Sequence, residues 1–147
     1  MCFKYQACIR NLGIECPPDN YEQEERDSFR FVKDTGENNN FLPPLVIKPK
    51  RIHSGQFKND LNEICSGYAL SFFDTLDNAI EYFAELRQQM SNAYKSVGTH
   101  IARGLLAECD GVMSNPDSDG HFDLHEFAEV ALEPKFSIVH DLQRGCV

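Results

Sequence analysis

The chain has no paired CxxC cysteines, no apolar run near the roughly 18 residues that span a bilayer, and no basic stretch leading into an apolar one near its start. These gaps predict free thiols and neither a transmembrane helix nor a secretory leader, so the expected compartment is cytoplasmic. Also missing are GxGxxG, a Walker-type phosphate loop and a GxSxG elbow, which removes the commonest nucleotide and acyl-transfer signatures. Positive charge is scarce where it would matter for nucleic acid. The part after Phe73 holds 13 of the 23 acidic residues and 5 of the 14 basic ones, for a formal net charge of −9 overall. Such a field repels phosphate backbones and argues against a nucleic-acid reader; the exception would be a local patch from Lys48, Lys50, Arg51, His53 and Lys58.

Six cysteines are present, at Cys2, Cys8, Cys16, Cys65, Cys109 and Cys146. Their irregular spacing reads as free thiols in a reducing compartment, where a buried cysteine acts as a small hydrophobe. A length of 147 residues is that of one domain, 1–147, and buries enough surface to fold without a metal or disulfide.

Phe3, Tyr5, Ala7 and Ile9 alternate with polar neighbours and predict a strand, although Tyr5, Ile9 and Leu12 would also share one side of a helix. Residues 16–27, with two prolines and many charges, read as a solvated connection. Phe29–Val32 and Pro44–Lys48 read as a hairpin around a polar turn at 34–40. Phe57, Leu61, Ile64 and Cys65 give one face of a short helix that Ser54 caps. Tyr68–Phe73 is an apolar strand that leads into the clearest helix, about Thr75 to Met90, with Leu76, Ala79, Ile80, Phe83, Leu86 and Met90 as its buried stripe. His100–Ala107 is a strand that completes a strand–helix–strand unit with a right-handed crossover. His121–Phe127 and Phe136–Val139 are the remaining strands. The expected architecture is α+β, a single domain with a mixed β-sheet covered by one long and one short helix.

Ligand-type side chains crowd together only in 115–127. Asn115, Asp117, Asp119, Gly120 and Glu126 have the spacing of a calcium loop, and the stretch resembles an EF-hand. The resemblance implies cation binding by Asn115, Asp117, Asp119 and Glu126, but only one loop is present, Asn115 stands where an aspartate is usual, and Gly111 and Pro134 interrupt the flanking helices. Read as turn and strand, the same stretch puts His121, Asp123 and His125 on one face at intervals of about 6.5–7 Å, with Phe122 and Leu124 on the other. Histidine and carboxylate there suit zinc, iron or manganese if a fourth ligand approaches. Period-two alternation favours the strand.

Ser71 lies in an apolar strand that leads into a helix, and Glu126 follows 55 residues later. With Arg51 upstream, the layout resembles the Arg–Ser–Glu order of ADP-ribosyltransferases. That resemblance implies that Arg51 holds a dinucleotide, Ser71 orders the site and Glu126 stabilises a ribosyl cation. The Ser-Thr-Ser triplet of that family is absent, and Glu126 and Glu129 are separated by two residues instead of one. With no active site complete on sequence grounds, the first expectation is a small soluble accessory or regulatory protein, without a cofactor, acting through a protein partner. The enzyme readings around Arg51, Ser71 and Glu126, or around His121, Asp123 and His125, stand as the alternatives.

Overall fold

The computed structural model describes residues 2–34 and 38–146. In it a seven-stranded sheet carries helices along the chain: α1 (Gln6–Ile9), β1 (Arg26–Val32), α2 (Pro44–Ile47), α3 (Leu61–Ser66), β2 (Leu70–Phe73), α4 (Leu76–Gln89), α5 (Ala93–Ser96), β3 (His100–Leu106), β4 (Gly111–Met113), β5 (His121–Glu126), β6 (Ser137–Asp141) and β7 (Gly145–Cys146). The fold is α+β with one long helix, α4. Spatial order is β4-β5-β2-β1-β3-β6-β7, and each neighbouring pair is antiparallel. β2 and β3, joined through α4, run the same way, but β1 lies between them. The strand–helix–strand unit therefore exists without a parallel pair side by side.

The sheet has an apolar layer on each face. Odd positions of β1 (Phe29, Phe31) and Phe73 of β2 meet Ala79 and Phe83 of α4 together with Ile101. Even positions of β2 and β5 (Leu70, Phe72, Phe122, Leu124) meet Leu106, Met113 and Leu132 on the other face. Period-two alternation in the strands assigns these sides. Helix α4 starts where Thr75 Oγ1 accepts from the Asn78 amide at 3.0 Å, as a capping threonine should. Of its expected stripe, Ala79 and Phe83 are buried, whereas Met90 falls at the helix end and is exposed.

Three local expectations are corrected. The Phe3–Ile9 strand is reduced to one bridge, Phe3 to Phe127, before the chain turns into α1. The helical spacing prevails because it brings Ile9 to full burial and Leu12 onto the cluster of Leu45, Phe57 and Ile64. Pro44–Lys48 is also helical, not the return strand of a hairpin. Pro44 occupies the first turn of α2, where its missing N–H costs nothing and its fixed φ suits a helix. Helix α3 begins later than expected, because Asn59 at φ 60° interrupts the path; Asp60 caps it in place of Ser54, accepting from the amides of Asn62 (3.1 Å) and Glu63 (3.2 Å). The turn expected at 34–40 lies partly outside the described residues.

The cysteine reading is corrected as well. Cys16 and Cys65 form a disulfide that ties the proline-containing connection to α3. The fold brings together residues 49 apart, which linear spacing does not reveal. Cys2, Cys8 and Cys109 are free and exposed; the Cys146 side chain lies outside the description. No helix among the described residues is long and apolar enough to cross a membrane.

Candidate functional site

β5 places His121, Asp123 and His125 on one face, and β2 adds Ser71 to it, since Ser71 pairs with Asp123 and Phe73 with His121 across the ladder. Ser71 Oγ and His121 Nε2 are hydrogen-bonded, the donor being set by the imidazole tautomer. Two carboxylates flank the ring. Asp123 Oδ1 is 3.7 Å from Nε2, and Asp117 Oδ2 is 3.8 Å from Nδ1. Asp117 also builds the turn before β5, with Oδ1 accepting from the amides of Asp119 (2.8 Å) and His121 (3.0 Å). The Phe73 ring meets the imidazole edge-on at 5.6 Å and limits its swing.

Ser71, His121 and Asp123 line one cavity of about 750 Å³, a size that suits a small-molecule ligand. Its walls also carry Arg30, Lys48, Arg51 and Lys95, against the acidic Glu63 and Asp123. Lys48, Arg51 and Lys95 are exposed and make no ion pair among the described residues, and Arg51 stacks over Phe57 at 5.5 Å. In a chain of net charge −9, this concentration of cations in one hollow gives the cavity an electrostatic character opposite to the rest of the molecule.

Arg30 plays a different part. β1 and β2 pair at a single register, Phe29 with Phe73, and then diverge. Arg30 spans the gap: Nη1 donates to the Ser71 carbonyl at 2.8 Å, Nε donates to the Asn40 carbonyl at 2.7 Å, and the guanidinium lies over the Phe41 and Phe72 rings. Burial lowers its pKa to about 10, an effect partly opposed by the charge of Glu126. Arg30 thus holds the backbone of Ser71 in place.

Asp123 is held above the usual carboxylate range, first by desolvation; His121 and the hydroxyls of Ser66 and Tyr21 pull the other way. The Tyr21 hydroxyl is pushed up to about 12 by the same burial and by Asp123.

Of the Arg–Ser–Glu set, Arg51 and Ser71 line the cavity and Glu126 does not. Glu126 projects to the opposite face of β5, where Oε2 accepts from Lys4 at 2.8 Å and burial raises its pKa. The calcium set is separated too. Asn115, Asp117 and Asp119 stay in the turn, but β5 continues as a strand through Glu126, so no exiting helix returns that carboxylate to the loop. No family model, curated protein or solved structure matches this chain.

His125, the third histidine-face position, is buried, and desolvation lowers its pKa to about 4. It does not join His121 and Asp123 in the cavity lining. Instead Nε2 lies 3.7 Å from Cys65 Sγ, and the ligand atoms of Cys16, Cys65 and His125 all fall within 4.8 Å of one another, a group with the donor types of a metal site. Sequence reasoning missed the cysteines of this group because nothing in their spacing marks them. The period-two pattern puts His125 on the same face as His121 and Asp123, but there it is buried and not turned outward.

Proposed function

We propose that the protein is an enzyme of ADP-ribosyl-transfer type, acting on a dinucleotide bound in the cationic cavity, with Asp123 taking the role that the Arg–Ser–Glu resemblance assigns to Glu126. The observation behind this is that Ser71, His121 and Asp123 share one cavity with Lys48, Arg51 and Lys95, which make no ion pair among the described residues. Arg51, Lys48 and Lys95 supply the positive charge a diphosphate needs, and a guanidinium binds phosphate oxygens in fork geometry. Arg30 is a positioning residue that fixes Ser71.

In this reading the C1′–N bond of nicotinamide adenine dinucleotide breaks and its electron pair leaves with neutral nicotinamide. The ribosyl cation is stabilised by ionised Asp123 and captured by water or an acceptor hydroxyl. The proton lost by that nucleophile passes to His121, and Ser71, hydrogen-bonded to the ring, sets its orientation. Because burial raises the Asp123 pKa, activity falls as pH drops through that raised value.

The test is nicotinamide release from the dinucleotide, with binding followed by calorimetry. Arg51→Ala should weaken binding, while Asp123→Asn and His121→Ala should each lower turnover by about 10²–10⁴-fold with binding retained. Neither binding nor nicotinamide release by the folded protein would discard the reading and return the accessory module with a protein partner to first place.

A further inference from the structure

Behind the cationic cavity, the face of β5 continues to a second group of reactive side chains that the proposed reaction does not use. Cys16 Sγ, Cys65 Sγ and His125 Nε2 come from three separate segments, the proline-containing connection, α3 and β5. They converge within 4.8 Å. Cys65 and His125 are almost fully buried, at 3 % and 2 % exposure. A cysteine pair that served only as a covalent staple would need no imidazole nitrogen beside it.

The spacing of Cys65 and His125 fits a metal once the disulfide is open. With Zn–S near 2.3 Å and Zn–N near 2.0–2.1 Å, a tetrahedral centre separates sulfur from nitrogen by about 3.6 Å. The Cys65 Sγ to His125 Nε2 distance is 3.7 Å. Two thiolates and an imidazole are also the donor types that select thiophilic divalent ions. Around them, the rings of Phe3 and Tyr21 stand 6.5 and 5.9 Å from the His125 ring and shield it. The group supplies three ligands, which leaves a fourth position for water or a small ligand.

We propose that Cys16, Cys65 and His125 form a redox-gated site for a thiophilic divalent cation of the zinc class, closed as a disulfide when oxidised and able to bind metal when reduced. Opening proceeds by thiol–disulfide exchange with an external dithiol. A thiolate of the reductant attacks one protein sulfur, the other leaves as a thiolate, and the second reductant thiol resolves the mixed disulfide. Two electrons pass to the protein, and the reductant ends as its own disulfide. Metal binding then releases the two cysteine protons to solvent while His125 donates its Nε2 lone pair. The metal thus competes with reoxidation for the same two sulfurs.

The experiment uses the whole chain and cobalt(II) as the spectroscopic probe. The protein is reduced with a water-soluble phosphine, which takes up the oxygen of one water molecule as the disulfide opens, and is freed of excess phosphine without air. Titration should then give one cobalt equivalent with a thiolate-to-cobalt charge-transfer band, displaced by zinc. The oxidised protein should give no band. Cys16→Ser and His125→Ala should lose the band, while the Cys2→Ser, Cys8→Ser, Cys109→Ser triple variant should keep it. Independently of any variant's folding, zinc should protect Cys16 and Cys65 of the reduced wild-type protein from alkylation, as read by peptide mapping. Absence of the band in the reduced wild type, its persistence in Cys16→Ser, or zinc protection confined to other cysteines would overturn the proposal.

Discussion

Lys4 Nζ reaches Glu126 Oε2 at 2.8 Å, joining residues 122 apart in sequence, and the same ammonium also donates to the Val130 carbonyl. Glu126 is 4 % exposed, and its other oxygen, Oε1, has no hydrogen-bond partner among the described residues. Lys4 is therefore its principal counter-charge. Lys4→Met should destabilise the fold by about 2–3 kcal/mol, below the usual cost of breaking a fully buried pair because Lys4 is partly exposed. Adding Glu126→Gln should restore most of that loss. Urea unfolding of the two single variants and the double variant measures the coupling.

The Phe83 ring is 3 % exposed between α4 and the sheet, against Phe31 at 5.8 Å between ring centres. Phe83→Ala should cost about 3–5 kcal/mol. A change within about 0.5 kcal/mol, the range of ordinary surface sites, would place the ring outside the core.

Burial lowers the His125 pKa from 6.5 to about 4, so between those values the unfolded chain binds a proton that the folded chain refuses. The stability this neutral imidazole confers is complete above about pH 6.5. It is lost as pH falls towards 4 and amounts to on the order of 3 kcal/mol. Carboxylates titrate in the same range, so the measurement compares oxidised wild type with oxidised His125→Asn. The stability difference between them should shrink as pH is lowered across this window.

At Gly111, which pairs with Glu126, a Cβ atom would meet the His125 carbonyl oxygen at 2.1 Å. That neighbour is backbone and cannot rotate away. Gly111→Ala should therefore destabilise β4 by about 1–3 kcal/mol, as overpacking does, and hydrogen exchange should show faster loss of protection in β4 than in β3.

Strand β5 was legible in the sequence because both of its faces follow period two and Asn115–Gly120 supplies a turn before it. Helix α4 was legible because its cap and its apolar stripe agree. The N-terminal segment and Pro44–Ile47 were misread for a shared reason: in four or five residues, alternation and helical spacing select nearly the same apolar positions, and tertiary burial decides. Ser71 and Arg51 stood out singly, but their common cavity depends on the order in which strands pair. Asp123 was noticed as a metal ligand and not as the neighbour of Ser71, since β2–β5 register links residues 52 positions apart. The disulfide was beyond reach for the same reason.

The lone Phe29–Phe73 register at the centre of the sheet has a mechanical consequence. Backbone hydrogen bonds lend little stiffness there, so the sheet behaves as two plates, β4-β5-β2 and β1-β3-β6-β7, braced by α4 resting on Phe29 and Phe73 together. Arg30 is the pin through the joint, bonded from one plate to the Ser71 carbonyl of the other. Strain applied across the molecule would concentrate along this line, and the cavity-lining face of β2 and β5 would move as one rigid piece relative to the arginine that holds it.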